Sequence, residues 1–180
     1  EIGDGLIVLI GNKPVPMNYP SNTLRFRQDS NFLYYCGLDY ENLVLTIDCA
    51  SEKSTLYGDD LTVDEIVWEG QRTSIKTMAE LSGIDRFETT SKLQGDIFRS
   101  NDIHTLPVYR EDQKYFLQSL LNNSDISSSK PLVACVIKQR SIKSDDEISE
   151  INSALKITSE MHSIAMRSTC LLYTSPSPRD

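Results

Sequence analysis

The sequence lacks long apolar runs and has an excess of acidic over basic residues. Its uninterrupted apolar stretches, such as Leu6–Ile10, are far shorter than the roughly 20 residues that a membrane-spanning helix needs. The 180 residues include 18 Lys and Arg against 26 Asp and Glu, which gives a formal net charge of −8. Because phosphate contacts need clustered basic side chains, the composition predicts neither a membrane-spanning nor a nucleic-acid-binding protein.

The cysteines show no pairing pattern. They lie far apart in the chain, and none forms a Cys-x-x-Cys pair: Cys36, Cys49, Cys135 and Cys170. Three of them sit in apolar, strand-like stretches, which favours buried reduced thiols over disulfides. This pattern is typical of a cytoplasmic protein.

Residue patterns that would support catalysis are also missing. The two histidines, His104 and His162, belong to no metal-binding motif, and the sequence contains no nucleophile elbow, P-loop or dinucleotide-binding glycine pattern. His162 falls on an apolar helical stripe, which favours a packed core histidine, and His104 is predicted to have a surface or capping role. A turn at Asp59-Asp60 and a helix cap at 145–147 account for the acidic clusters. The residues alone therefore predict no catalytic or metal site on this chain.

The chain shows short β-prone runs alternating with helical patterns. Predicted strands cover residues 6–10, 43–47, 54–57, 87–89 and 132–137, and predicted helices cover 62–70, 73–81, 91–98, 113–121 and 144–168. Capping boxes at Thr62 to Glu65 and Ser144 to Glu147 mark two of the helix starts. The polar stretch between the second and third runs predicts a hairpin. This alternation predicts a mixed α/β sheet with helices on its faces.

The last predicted helix has an apolar stripe on one side. Ile148, Ile151 and Leu155 begin a repeat every three or four residues that continues to Ala165. Such a stripe needs a partner surface, either the α/β domain or a further domain.

Two stretches carry motifs with a distinctive order and spacing. Residues 24–37, with Arg27 and the run Asp29-Ser30-Asn31-Phe32, precede the two hairpin strands and the motif Trp68-x-Gly70-x-Arg72. Their order and spacing resemble the N-terminal domain of the Xaa-Pro aminopeptidases, the aminopeptidase P family. Residues 142–166 resemble the linker and opening helix of its pita-bread catalytic domain.

The resemblance implies a fold and a domain organisation. The expected fold is a mixed β-sheet with helices on both faces, followed by one long helix from the start of a catalytic domain. Residues 1–140 would form the N-terminal-like domain, and residues 141–169 the linker and first helix of a truncated catalytic domain. Residues 170–180 resemble the translated read-through of a sequencing adapter and are predicted to be a non-native tail, so the natural part is expected to stop at Thr169.

The resemblance also implies an activity, with its cofactors and partners. The parent enzyme would be a cytoplasmic metalloaminopeptidase that uses two manganese ions to remove the N-terminal residue preceding proline from a peptide. The family's metal ligands are expected beyond this chain, so the fragment is predicted to be inactive and to hold no metal. A homo-oligomer is a possible assembly, and no nucleic acid or membrane partner is expected.

The resemblance further suggests substrate-cleft residues on this chain. Trp68 and Arg72 fall on its Trp-x-Gly-x-Arg motif and are candidates to border the cleft of the same or a neighbouring subunit. The alternative is that Trp68 anchors the core and Arg72 caps a helix end. Arg27, Asp29 and Ser30 are interpreted as a local hydrogen-bonded corner.

Two other functions stay open from the sequence. One is the N-terminal domain of prolidase, which cuts Xaa-Pro dipeptides and shares the architecture. The other is an inactive, peptidase-like protein-binding module with a basic partner.

Overall fold

The computed structural model describes residues 2–100, 102–122 and 128–169. Its contacts divide the chain into two units, Glu1–Cys135 and Val136–Asp180. Within the described residues, no helix is both long and apolar enough to cross a bilayer. The predicted boundaries after residues 140 and 169 stay predictions, and the predicted tail at 170–180 lies outside the described residues.

The elements follow the predicted alternation, with two elements added and one predicted strand replaced by a helix. The strands are β1 (Leu6–Ile10), β2 (Val44–Asp48), β3 (Lys53–Tyr57), β4 (Arg86–Glu88) and β5 (Ile103–Thr105). The helices are α1 (Ser30–Cys36), α2 (Val63–Glu69), α3 (Ile75–Leu81), α4 (Thr90–Phe98), α5 (Glu111–Leu120), α6 (Lys130–Ser141) and α7 (Asp145–Ser168). The additions are α1 and β5, which the sequence patterns did not predict.

The strands form one mixed sheet in the order β4-β3-β2-β1-β5. β1, β2 and β3 are antiparallel neighbours, and the predicted hairpin joins β2 to β3. The two edge strands are parallel to their neighbours, β5 to β1 and β4 to β3. β1 is therefore an interior strand, as its apolar run predicted.

One face of the sheet packs against α1 and α3. Leu9, Leu45 and Leu56 lie opposite one another across the three antiparallel strands. They join a buried cluster with Phe32 of α1 and Met78 of α3. Since successive side chains of a strand point to opposite faces, the adjacent residues must belong to the other face.

The opposite face packs against α4 and α5. Val8, Val44 and Tyr57 form a second buried cluster with Leu93 and Ile97 of α4, and Leu120 of α5 joins it. The sheet is thus covered by helices on both faces, and the predicted fold class is confirmed.

Residues 132–137 form part of helix α6, so the predicted strand there is wrong. The apolar run Leu132–Ile137 fits a buried strand and a helix equally well. In the structure the buried members are Leu132 and Val136, four residues apart, while Ile137 is exposed, which is helical spacing. Pro131 is compatible with the first turn of a helix, where its missing N–H is not needed.

The predicted terminal helix is confirmed as α7, but its stripe is not buried. Ser144 caps it through a capping box with Glu147, and no side chain of α7 is buried in the structure. His162 is exposed within the described residues, and its packing against a further domain stays a prediction. The apolar stripe is exposed along Ile148, Ile151 and Leu155.

Candidate functional site

Trp68 lies on the outer surface of α2. The helix starts at the predicted capping box, where Thr62 accepts from the Glu65 backbone N–H and the Glu65 carboxylate accepts from Thr62. The N–H and hydroxyl of Thr62 hold the pKa of the Glu65 carboxyl below its usual value. α2 buries none of its side chains, and Trp68 is 88% exposed. The interpretation of Trp68 as a core anchor is therefore wrong.

Arg72 follows α2 and is fixed by an ion pair. Gly70 ends the helix with a φ of 85°, a conformation that favours glycine. The guanidinium Nη1 of Arg72 then donates to the Glu41 Oε1 at 2.9 Å, and both side chains are largely covered. Arg72 thus bridges to the segment that enters β2 and does not cap the helix end, so the capping alternative is wrong as well.

A cavity of about 420 Å³ lies beside Arg72. Its charged lining is mainly acidic, with Lys13 and Arg72 as the cations: Glu41, Asp59, Asp60, Glu65 and Glu69 supply the carboxylates. Asp59 accepts from the Thr90 backbone N–H at the start of α4, and Asp60 accepts from the Ile75 N–H at the start of α3. These two carboxylates are therefore occupied in holding helix starts, beyond the turn that the sequence predicted.

The hydrogen-bonded corner predicted at Arg27, Asp29 and Ser30 is confirmed at Asp29, with a residue that sequence reasoning missed at its centre. Asp29 caps α1 by accepting from the backbone N–H groups of Asn31 and Phe32. Gln28 is only 4% exposed. Its Oε1 accepts from the backbone N–H groups of Asn12, at 2.6 Å, and Asp29, at 2.9 Å, and its Nε2 donates to the Tyr40 carbonyl at 2.6 Å. A single amide therefore ties together three segments at the carboxyl end of β1.

His104 is a structural histidine within β5. Its side chain is 12% exposed, so the predicted surface or capping role is wrong. Nδ1 lies 2.9 Å from the Ser129 hydroxyl, and Nε2 lies 3.1 Å from the Asp4 carbonyl and 3.6 Å from Asp102. The Ser129 hydroxyl also accepts from the Leu132 backbone N–H at the start of α6. Both ring nitrogens and the hydroxyl are thus engaged in joining β5 to its surroundings.

The described residues offer no metal site and no reactive thiol pair. Across residues 2–100, 102–122 and 128–169, no group of three or more His, Cys, Asp or Glu side chains is arranged to hold a metal ion. Cys36, Cys49 and Cys135 are free. Burial raises the pKa of the Cys36 thiol to about 11, which makes it a poor nucleophile.

Comparison with known sequences identifies the family of this fold. The family model "Aminopeptidase P, N-terminal domain" matches residues 1–104. A probable Xaa-Pro aminopeptidase of Aspergillus fumigatus is 26% identical over 165 residues, covering 89% of this chain and 33% of the relative. Its counterpart in Talaromyces stipitatus is 28% identical over 173 residues, covering 92% of this chain and 33% of the relative. The chain thus spans about a third of the length of these curated relatives.

Solved structures give the same fold. Aminopeptidase P from E. coli in its low-pH form superposes with a TM-score of 0.74 at 19% identity, covering 91% of this chain and 40% of that one. The same enzyme with the inhibitor Pro-Leu gives a TM-score of 0.74 at 18% identity, with the same coverage. The mixed sheet, its helices on both faces and the sequence match agree, and the chain belongs to the aminopeptidase P N-terminal domain family.

Proposed function

We propose that this chain is the non-catalytic N-terminal part of an Xaa-Pro aminopeptidase, which removes the N-terminal residue preceding proline. The observation that carries the proposal is the match of residues 1–104 to the aminopeptidase P N-terminal domain. The relatives that it matches along most of its length are named as probable Xaa-Pro aminopeptidases, and it spans about a third of them. The activity would then belong to the whole protein.

The chemistry of the whole protein is proposed to depend on two divalent ions, manganese, held outside the described residues. A metal-dependent hydrolase needs several carboxylates or imidazoles converging on one point. The described residues do not fit such a centre, because they contain no candidate ligand group. No step of bond cleavage is therefore assigned to residues of this chain.

The role proposed for this chain in the whole enzyme is to shape the substrate cleft through Trp68 and Arg72. The capping box stabilises the start of α2, and the Arg72–Glu41 ion pair fixes the segment that follows it. The Trp68 ring is 88% exposed. An exposed indole on this helix is suited to cover the ring of a proline-containing peptide, in the same subunit or in a neighbouring copy of a homo-oligomer. A cytoplasmic location is proposed as well, supported by the free cysteines of the described residues.

The first test is activity. The 180-residue chain, incubated with manganese and an Xaa-Pro peptide, is expected to give no turnover, whereas the full-length product of the gene is expected to release the first residue. Reproducible cleavage by the 180-residue chain would contradict its non-catalytic role. A full-length protein that cleaves only dipeptides would be a prolidase, and one that lacks metal ligands would be a binding module.

The second test concerns Trp68. In the full-length enzyme, Trp68→Ala is expected to raise KM for an Xaa-Pro peptide about tenfold, the effect of losing one aromatic contact of roughly 1.4 kcal/mol. Tyr109→Ala is the matched control, because Tyr109 is also an aromatic residue and is 89% exposed. Equal kinetic constants for the two variants would remove Trp68 from the substrate cleft.

A further inference from the structure

A second cavity of the first unit collects basic side chains in an acidic protein. It has a volume of about 360 Å³ and is lined by Lys13, Arg25, Arg27 and Arg110, with Asp29 as its carboxylate. The whole chain carries a net charge of −8. Four cations around one cavity repel one another unless anions lie between them, so their gathering here needs a physical reason.

Two of these cations have no anionic partner in the part of the chain that the structure describes. The salt bridges among the described residues leave out Arg25 and Arg27, and both residues are exposed. Asp29 is the carboxylate of the cavity, but its Oδ1 accepts from the backbone N–H groups of Asn31 and Phe32, and no salt bridge among the described residues joins it to Arg25 or Arg27. The guanidinium groups of Arg25 and Arg27 are therefore available to a ligand.

The other two cations are held in place at the cavity wall. The Nζ of Lys13 lies 4.2 Å from the centre of the Phe116 ring, a cation–π contact that orients the ammonium group. Arg110 donates from Nε and Nη2 to the two carboxylate oxygens of Asp112, at 3.0 and 2.8 Å. That ion pair cancels much of its charge but fixes its plane. Phe116 lines the first cavity and not this one, so the cations that this cavity offers to a ligand are the two unpaired guanidinium groups of Arg25 and Arg27.

We propose that this cavity binds the phosphate group of a small molecule. A phosphate monoester carries a charge of about −1.5 to −2 and three acceptor oxygens, which suits two unpaired guanidinium groups better than a single carboxylate does. The planar donor fork of arginine matches phosphate oxygens in a bidentate manner. Val15 and Leu24, which also line the cavity, are partly exposed and give the rest of the ligand an apolar surface.

The experiment is calorimetric titration of the full 180-residue chain with pyrophosphate, with citrate and chloride at matched ionic strength as other anions. The variants are Arg25→Gln and Arg27→Gln, and Arg27→Lys keeps the charge while removing the fork. Arg86→Gln is the matched control. Arg86 is exposed on β4, so its replacement removes the same charge at a position away from the cavity. Circular dichroism checks that each variant is folded, and Arg27→Lys keeps the test valid if a glutamine variant is not.

Pyrophosphate is expected to bind with a defined stoichiometry and more tightly than citrate. Each glutamine variant is expected to weaken binding about tenfold, as the loss of a charge-assisted hydrogen bond does, with a smaller effect of Arg27→Lys and none of Arg86→Gln. Three results would overturn the proposal: no heat beyond that of chloride, tighter binding of citrate, or equal weakening by Arg86→Gln.

Discussion

Replacing the buried Gln28 with Leu is expected to lower the free energy of unfolding by about 3 kcal/mol. Leucine fills a similar volume, so the change removes hydrogen bonds without opening a cavity. It leaves the backbone N–H groups of Asn12 and Asp29 and the carbonyl of Tyr40 without the partner they have now. An unsatisfied buried polar group costs about 1–3 kcal/mol, and since these three hydrogen bonds are partly buried, the low end of that range for each gives about 3 kcal/mol.

Urea unfolding followed by circular dichroism measures this loss from the midpoint at constant slope. Gln71→Leu is the matched control, because Gln71 is exposed and surface substitutions change stability by about 0.5 kcal/mol or less. A loss for Gln28→Leu no larger than that of Gln71→Leu would show that water or backbone adjustment satisfies the three groups. The reasoning about this corner would then be refuted.

Two further predictions concern backbone packing and acid stability. Gly11→Ala would place a Cβ 2.8 Å from the Leu43 carbonyl oxygen and is expected to destabilise the fold by about 1–3 kcal/mol. Gly95→Ala, in a helix with open space around it, is expected instead to stabilise by about 0.5–1 kcal/mol in the same urea assay. The hydrogen bonds from Ser54 lower the pKa of the Asp85 carboxyl. The ionised carboxyl therefore stabilises the fold above the ordinary aspartate pKa, and this stabilisation is lost as the pH falls through the lowered pKa. Urea unfolding midpoints should therefore fall less steeply with decreasing pH for Asp85→Asn than for the unsubstituted chain. Parallel curves of the two proteins would contradict this.

The sequence predicted the elements that carry strong local signals. β1, the hairpin of β2 and β3, and the capped helices α2 and α7 lie where apolar runs and capping boxes placed them. These signals act over a few residues, so they do not depend on distant contacts. The mixed sheet with two covered faces followed from their alternation.

The elements that the sequence missed depend on contacts between distant segments. β5 has three residues and exists as a strand because it pairs with β1, nearly a hundred positions away in the chain. α1 is short and is held by the Asp29 cap and by burial of Phe32 against the sheet. The run Leu132–Ile137 gave the wrong element because only the tertiary environment decides which of its residues are buried.

The candidate site was predictable in its residues but not in its geometry. Trp68 and Arg72 came from a family resemblance, which says nothing of exposure or pairing. The partner of Arg72 is Glu41, and no local pattern links residues so far apart in the chain. Gln28 gave no signal at all, because a glutamine in a loop is ordinary until the fold buries it.

The acidic cavity beside Arg72 shows why residue type alone is a weak guide to reactivity. Asp59 and Asp60 lie next to each other, as paired catalytic carboxylates often do, yet each accepts from the first backbone N–H of a different helix. Removing such a cap costs about 1 kcal/mol of stability. A proton or metal ion that took the same lone pair would therefore compete with the first backbone N–H of α3 or α4. The chemical capacity of a carboxylate thus depends on which of its oxygens are already used, and in this pair Oδ1 of each residue holds a helix start.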